Sequence, residues 1–365
     1  MNEISSGAVG SAVILIPSLE PDERLPVYIR ELEQSGFGQI VVVDDGSSEK
    51  YQRVFSKVSE IPRTTVLHHE INQGKGVALK TGYRFIQTLD DSYTGIITAD
   101  SDGQHTVRDC IRLAEKLEDE KQALYLGSRD FNLPDIPPKS RSGNRITSAV
   151  FRVLYGQWLP DTQTGLRAFH REDLPFMLNV EGERYEYEMK VLIACSRSHI
   201  PMIPVEIETV YENGKNEGTH FHPIKDSIRI YKVILGSFFK FMSSSLICTA
   251  IDQGLFNLLN LLVFANGMAK DPRLILASTV IARVVSSCTN FLLNWKYVFG
   301  KSRHPRRAFV RYVILSIGIM LSSWAGTWLL GSTGLSSTIA KLITDTILYL
   351  VSFRVQQVWV FREDS

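Results

Sequence analysis

Apolar and polar positions divide this chain into two unlike stretches. Over the first 236 residues, short aliphatic runs alternate with longer segments patterned for amphipathic helices. Ala12–Ile16 is the first run, stopped by Pro17. A helical stretch follows near Asp22–Ser35, and then Gln39–Val43, four of whose five residues are β-branched. Ser48–Val58 reads as helix and Thr64–His68 as strand. Another helix begins after Asn72-Gln-Gly-Lys-Gly76, and Thr94–Ala99 makes a further strand. Buried strands alternating with amphipathic helices predict an open, mainly parallel α/β sheet. Such sheets take ligands at the carboxyl ends of their strands.

The pattern changes near residue 237. A crossing helix needs about 20 largely apolar residues, and four stretches meet that length: 241–264, 274–297, 309–330 and 338–360. A buried soluble bundle would have to accommodate Tyr312–Ala340, which holds no charge at all. Just before the first span, Ile228, Tyr231, Leu235 and Phe238 fall near one face, with Arg229 and Lys232 elsewhere, so 223–240 reads as an interfacial helix. The domain plan is therefore a catalytic-type domain over 1–222, an interfacial region over 223–240, and a membrane domain over 241–362.

Charge sharpens this division. The whole chain of 365 residues is close to neutral, with 40 Lys plus Arg against 39 Asp plus Glu. Residues 237–365 hold 13 of the bases and 5 of the acids, leaving 27 and 34 for the rest. That balance excludes a uniformly basic nucleic-acid binder, and 44% hydrophobic residues exclude a disordered chain. Four scattered cysteines signal neither a zinc site nor a disulfide framework. The segment between the second and third spans carries Lys296, Lys301, Arg303, Arg306, Arg307 and Arg311 with no acid. Basic loops stay in the cytoplasm, which predicts a multi-pass membrane protein with both termini and the first domain cytoplasmic. No basic and apolar leader is present at the N-terminus.

Spans two and four end alike. Phe291-x-x-Asn294-x-x-Tyr297-Val298-Phe299 matches Phe353-x-x-Gln356-x-x-Trp359-Val360-Phe361. An aromatic belt with amide helix contacts explains this, and so does an internal repeat of two-helix units. In that register Arg283 and Asp345 are equivalent. Charges inside a bilayer need partners, so Arg283 is expected to pair with Asp345 or Asp252. A structural ion pair and an anionic head-group site remain equal alternatives there.

The chemistry-bearing clusters of the first domain fall at strand ends. Asp100-Ser101-Asp102-Gly103-Gln104-His105 follows a buried strand, and two carboxylates so spaced can share a hard divalent cation, Mg²⁺ or Mn²⁺, with a diphosphate. Asp44 and Asp45 suit hydrogen bonds to a ribose or base, and equally a helix cap. The loop Asn72–Gly76 resembles a phosphate loop but lacks the Walker spacing. In the segment Tyr211–His222, Lys215, His220 and His222 suggest a lid over a diphosphate or lipid phosphate.

Ile16-Pro17, Val43-Asp-Asp-Gly-Ser47, Asn72–Gly76, Asp100–His105 and Gly127-Ser-Arg129 occur in the order seen in family 2 glycosyltransferases. Asp161-Thr-Gln-Thr-Gly-Leu-Arg167 and Tyr185-Glu-Tyr-Glu188 resemble the dolichol-phosphate mannose synthase and polyprenyl-phosphate glucosyltransferase branch. The resemblance covers about 10–235. Residues 237–362 are similar to the GtrA-like family, four-helix membrane proteins associated with moving or presenting polyprenyl-linked sugars.

The resemblance implies a Rossmann-like GT-A fold followed by an all-α membrane domain of four spans. It also implies a nucleotide-sugar donor, a divalent metal and an undecaprenyl or dolichyl phosphate acceptor. The reaction expected is an inverting transfer giving polyprenyl-phosphate hexose, from a UDP-glucose or GDP-mannose type donor. A synthase that also flips its product, and a processive polysaccharide synthase, are the alternatives. No Gln-x-x-Arg-Trp motif of processive enzymes follows Asp102.

Carried onto this chain, Asp100, Asp102 and Gln104 hold the metal, and Pro17, Asp44, Asp45, Gly46, Lys75 and Ser101 join the two acids around the donor. Asp100, Asp102, Arg129 and Asp161 are the expected catalytic set. Arg129, Arg141, Asn144, Arg145, Lys215 and His220 are candidates for the acceptor phosphate, and Gln163, Arg167, Glu186 and Glu188 for the sugar pocket. The partners expected are the donor, the acceptor, a bilayer and a possible second copy of the chain, with no nucleic acid.

Overall fold

The computed structural model describes residues 3–118, 122–133, 136, 138–208, 223–265, 272–299 and 304–361. It separates into two compact units, Met1–Ile234 and Leu235–Ser365.

The first unit starts with helix α1 (Glu3–Gly10) and strand β1 (Ala12–Ser18). There follow α2 (Arg24–Gln34), β2 (Gln39–Asp44), α3 (Gln52–Ser59), β3 (Thr64–His68), α4 (Lys75–Ile86) and β4 (Gly95–Thr98). The second half runs α5 (Val107–Lys116), β5 (Leu124–Arg129), α6 (Pro138–Tyr155), β6 (Arg167–His170), α7 (Leu174–Asn179), α8 (Glu186–Arg197) and β7 (Met202–Ile207). The strands form one seven-stranded sheet in the order β3-β2-β1-β4-β6-β5-β7. Strands β1 to β4 are mutually parallel, whereas β6 runs antiparallel to both β4 and β5. The expected mainly parallel sheet is therefore mixed at β6.

Strands β1 and β4 are buried at every position, which explains why they read as unbroken apolar runs rather than as alternations. Ile14, Ile16, Ile40 and Val42 pack with Leu25, Ile29, Phe37 and Leu113 from flanking segments. Each such side chain contributes roughly 1.5–3 kcal/mol by leaving water. The register sets Ser18 beside Asp44, and Asp44 beside His68. The polar ends of β1, β2 and β3 thus share one edge.

The second unit holds most of α9 (Pro223–Ala265), together with α10 (Pro272–Leu293), α11 (Pro305–Gly331) and α12 (Ser337–Val355). The expected interfacial segment and first span form one continuous 43-residue helix. Among the described residues, three helices, over Ile228–Leu262, Ile275–Val298 and Pro305–Gly331, are long and apolar enough to cross a membrane. Helix α12 is about as apolar but carries Lys341, Asp345 and Arg354 within 19 residues.

The repeat read in the sequence is visible here. Helices α10 and α12 each end in a π turn that begins on the shared amide, Asn294–Val298 and Gln356–Val360. Asn294 Nδ2 donates to Gln356 Oε1 at 3.0 Å, and both residues are buried. Around this pair the rings are arranged twice over. Phe353 meets Phe238, Phe241 and Phe299 with centroids 5.4, 5.4 and 5.6 Å away. Phe291 meets Phe309, Tyr312 and Phe361 at 5.1, 5.5 and 5.7 Å. Each amide also donates one turn back, Asn294 to Asn290 Oδ1 and Gln356 to Ser352 Oγ. Among the two partners expected for Arg283, the structure selects Asp252, at 3.4 Å. All four cysteines are free.

Interhelical amide bonds in apolar surroundings couple by about 0.6 kcal/mol on average and up to about 1.7. A double-mutant cycle of Asn294→Ala and Gln356→Ala, read by thermal unfolding of the full chain in detergent, should show a coupling in this range.

Candidate active site

The carboxyl ends of β1, β2 and β4 gather the polar residues. Asp44 and Asp45 close β2 and are both buried. Asp44 Oδ1 accepts from the Ser47 amide at 2.9 Å, and Oδ2 lies 3.0 Å from His68 Nδ1 and 3.3 Å from Gln52 Nε2. The carboxylate ties down the turn that leads to Glu49, but the short helix Glu49–Tyr51 that starts there has no side-chain cap, so the capping alternative is not what Asp44 does. Asp45 is used more fully. Its oxygens accept from the amides of Gln73 and Gly74 at 3.0 and 2.7 Å and from His69 Nδ1 at 2.8 Å. Asp45 thus anchors the Asn72–Gly76 loop to the end of β2.

Gly46 has φ +77°, and a Cβ there would lie 2.3 Å from the Ile71 carbonyl carbon. Both the left-handed backbone and the close chain demand glycine. Glu20, just past β1, also has positive φ, +51°, held by Ser47 Oγ accepting its amide at 2.8 Å. Such strain in a non-glycine residue persists where surrounding contacts over-determine it. The Ser18 hydroxyl is buried here with no hydrogen-bond partner among the described residues.

Lys75 opens α4 directly after that anchored loop. Its Nζ lies 2.7 Å from Asp100 Oδ1 and 3.0 Å from Glu188 Oε1, so one ammonium bridges the end of β4 and the first turn of α8. Burial by itself lowers a lysine, but the two carboxylates outweigh it and raise Lys75 above its ordinary value. Burial would likewise raise Asp100, yet Lys75, His105 and Arg129 hold its carboxyl down at about 2. Asp102 goes the other way, raised by burial and by the Asp100 charge despite the Gln104 amide, which donates to Asp102 Oδ1 at 3.1 Å. Asp100 is thus held ionised by its cationic neighbours, while Asp102, desolvated and beside that charge, ionises less readily.

Carboxylate oxygens suit Mg²⁺ or Mn²⁺. Among the described residues no cluster of three His, Cys, Asp or Glu side chains is ready to hold a metal. Asp100, Asp102 and Gln104 offer two carboxylates and one amide oxygen within a single turn, a donor set whose chemistry suits a hard cation.

Two contributors escaped the sequence reading. His105 Nδ1 accepts the Asp100 amide at 3.0 Å and fixes the turn that carries both acids. Gly165 lies against the acid itself, since a Cβ there would be 2.3 Å from Asp100 Oδ2. Gly165 sits just before β6, whose antiparallel pairing sets Arg167 opposite Thr98. The motif Asp161–Arg167 contained Gly165, but its closeness to Asp100 depends on that pairing.

The other expected residues separate by what they already hold. Arg129 Nε and Nη2 reach Asp161 Oδ2 and Oδ1 at 2.7 and 3.3 Å, a bidentate pair with Asp161 fully buried. The guanidinium also lies over the Phe131 ring, 5.2 Å from its centroid. Asn144 bonds the Pro160 carbonyl and the Thr162 amide, bracketing Asp161. Arg141 donates to the Leu133 carbonyl at 2.7 Å and Arg145 to Asn132 Oδ1 at 2.9 Å. Arg167 binds the carbonyls of Thr164 and Glu188 and stitches the β6 start to α8. Glu186 accepts from the amides of Glu183 and Arg184 and ties down the turn that leads into its own helix. Gln163 is exposed, and Ser101 and Pro17 flank the acids and the β1 end. Lys215, His220 and His222 lie outside the described residues.

Misplacing a reacting group by about 1 Å costs on the order of 10²-fold. Gly165→Ala should therefore weaken Mn²⁺ binding at least tenfold in a calorimetric titration while leaving the circular dichroism unchanged. Lys75→Met leaves Asp100 and Glu188 facing each other; the Asp100 side chain is 30% exposed, so the cost falls below the roughly 3–5 kcal/mol of breaking a fully buried pair. The Asp100 contribution is complete above its unfolded value of 3.8 and is lost as pH falls through about 2. The melting-temperature gap between Lys75→Met and wild type should accordingly be wide at pH 7 and narrow towards pH 2.

Two family profiles match the chain: "Glycosyl transferase family 2" over 19–175 and "GtrA/DPMS, transmembrane domain" over 240–361. A UDP-N-acetylglucosamine–dolichyl-phosphate N-acetylglucosaminyltransferase of Methanococcus voltae is 25% identical over 54% of this chain and 85% of its own length. An undecaprenyl-phosphate 4-deoxy-4-formamido-L-arabinose transferase of Photorhabdus laumondii is 26% identical over 45% of this chain and half of its own. Among solved structures, glucosyl-3-phosphoglycerate synthase of Mycobacterium tuberculosis aligns with a TM-score of 0.47 at 15% identity, covering 64% of this chain and 81% of that one. The order of motifs around a mixed GT-A sheet, followed by long apolar helices, agrees with both profiles: the chain carries a family 2 glycosyltransferase domain joined to a GtrA/DPMS transmembrane domain.

Proposed function

We propose that this protein is a membrane-bound inverting transferase that moves a hexose from a nucleoside diphosphate sugar to a polyprenyl phosphate. The observation that carries the reading is the Asp100–Asp102 turn, clamped by Lys75 through Asp100. In this reading a diphosphate leaving group binds beside these acids with a divalent cation. The cation's chemistry would be to neutralise the departing diphosphate. Ser18 offers its unpartnered hydroxyl to the nucleoside beside Pro17 and Asp44. Lys75, already pointed at Asp100, is placed to donate to the same diphosphate.

The acceptor phosphate is anionic near neutral pH, so no general base is needed. Its oxygen attacks the sugar C1, the bond from C1 to the diphosphate oxygen breaks, and the diphosphate leaves with the electron pair. Arg129 is the group best suited to orient the attacking phosphate, because Asp161 and Phe131 hold its guanidinium in a fixed plane. Asp161 in this role orients Arg129 rather than taking a proton. Gln163 and Glu188 are then left for the sugar.

The names of the archaeal and bacterial relatives, a dolichyl-phosphate and an undecaprenyl-phosphate transferase, support a polyprenyl phosphate acceptor. So do the apolar helices, and so does helix α6, which exposes Ile146 and Val153 next to Arg145 and Arg152, a composition suited to an anionic bilayer surface. In this reading the chain is multi-pass with α12 as a fourth span, and the basic segment 296–311, both termini and the transferase unit face the cytoplasm.

Membranes holding the full chain should convert one labelled donor among UDP-glucose, UDP-N-acetylglucosamine and GDP-mannose into a single-sugar lipid on undecaprenyl or dolichyl phosphate. Asp100→Asn and Asp102→Asn should each lower the rate on the order of 10²–10³-fold, and a chelator should abolish it until Mg²⁺ or Mn²⁺ is restored. Undiminished synthesis in both variants would sink the assignment, and a polymeric product would favour a processive synthase.

A further inference from the structure

Lys75 shares one ammonium between two carboxylates of different standing. Its Nζ is 2.7 Å from Asp100 Oδ1 at the end of β4 and 3.0 Å from Glu188 Oε1 in the first turn of α8. Asp100 belongs to the turn that offers ligands to a hard cation, whereas Glu188 stands outside that turn. The Tyr185 ring, three residues before Glu188, has its centroid 5.8 Å from Nζ, within the reach of a cation–π contact. Two neighbours of the ammonium therefore come from the start of α8 and one from the end of β4.

The base of this side chain is fixed, and its tip has a choice of partner. Gly74, with φ +104°, donates its amide to Asp45 Oδ2 at 2.7 Å, and a Cβ there would lie 2.6 Å from the Glu183 carbonyl oxygen. Just beyond Lys75, the Val77 amide donates to that same oxygen at 3.0 Å. Lys75 thus leaves a backbone pinned on both sides, while its four-carbon stem lets the ammonium pivot. The position is costly for a cation. Lys75 is the first residue of α4, where the helix dipole favours anions, and only 14% of its side chain is exposed. An anionic ligand reaching the start of α4 relieves both costs at once.

We infer that Lys75 is a placeholder that makes uptake of the divalent cation conditional on the diphosphate. While Lys75 holds Asp100, its ammonium occupies Oδ1 and sets a like charge beside that carboxylate. Asp102 and Gln104 are then left to hold an ion largely without Asp100. A diphosphate offers the ammonium anionic oxygens of its own. Lys75 yields Asp100 to them and keeps Glu188, so that both carboxylates of the Asp100–Asp102 turn become available together. When the nucleoside diphosphate departs, Lys75 returns to Asp100 and the hold on the cation weakens again. The diphosphate in this scheme comes from the proposed transferase reading, on which the inference rests. The contact of Lys75 with Asp100 before any ligand is bound does not depend on that reading.

Mn²⁺ binding to the full chain in phosphatidylcholine nanodiscs separates a placeholder from a brace, read as loss of the free-ion electron paramagnetic resonance signal. With Mn²⁺ alone, Lys75→Met should bind about fivefold or more tightly than wild type. Glu188→Gln leaves Asp100 as the remaining carboxylate for the ammonium and should bind about fivefold more weakly. A brace predicts the opposite sign for Lys75→Met, because its loss would disorder the two acids. Adding UDP or GDP should raise the Mn²⁺ affinity of wild type about tenfold or more, and that factor should be about fivefold smaller in Lys75→Met. Chelation of Mn²⁺ by the nucleotide in solution is common to both proteins and cancels from the comparison. Weaker or unchanged binding of Mn²⁺ alone by Lys75→Met overturns the inference. Should Lys75→Met not fold, unchanged or tighter binding by Glu188→Gln overturns it instead. Nucleotides that leave Mn²⁺ affinity unchanged, with Lys75→Met still tighter, would reject the transferase reading and leave Lys75 a placeholder. An equal nucleotide effect in both proteins would reject only the placeholder.

Discussion

The transferase unit depends on one buried cation. Lys75 stands between Asp100 and Glu188, which come from the end of β4 and the start of α8. Without that ammonium two carboxylates would face each other in a poorly solvated pocket, at a cost that neither helix nor strand could offset. With it, Asp100 stays ionised and Asp102 stays destabilised. The arrangement is stable enough to fold. In the proposed reading, catalytic function follows from the same arrangement, with a metal-bound diphosphate as the ligand beside these acids.

The rest of the site is organised so that Lys75 cannot drift. Asp45 spends its carboxylate on the backbone of Gln73 and Gly74, just before Lys75. Arg167 ties Glu188 to the β6 start, and Gly165 leaves room for the Asp100 carboxylate. Groups that read as ligand contacts in a linear motif therefore include several whose hydrogen bonds are committed within the protein. Asp45, Asn144, Arg167 and Glu186 hold the frame, as does Arg129 through Asp161, whereas the Ser18 hydroxyl has no partner among the described residues.

The membrane unit solves a comparable problem by duplication. Polar side chains in an apolar medium need partners close by, and the Asn294–Gln356 bond satisfies one from each hairpin at their junction. A shared frame then permits divergence at equivalent positions. One hairpin pairs Arg283 with Asp252 between its two helices, and the other pairs Lys341 with Asp345 one turn apart on α12.

Much of this was legible in the sequence. The alternation of buried strands and amphipathic helices, the acid pairs at strand ends, the change of solvent near residue 237 and the matched endings of α10 and α12 all depend on local periodicity. Local periodicity decides which face of an element is buried, so the elements and their polar ends could be read one segment at a time. Partnerships could not. Whether Arg283 would choose Asp252 or Asp345, that Lys75 would find Glu188, and that β6 would run antiparallel and bring Gly165 against Asp100 were decided by the tertiary structure. Each depends on the register between segments far apart in the chain, and a register is fixed only when whole faces pack together.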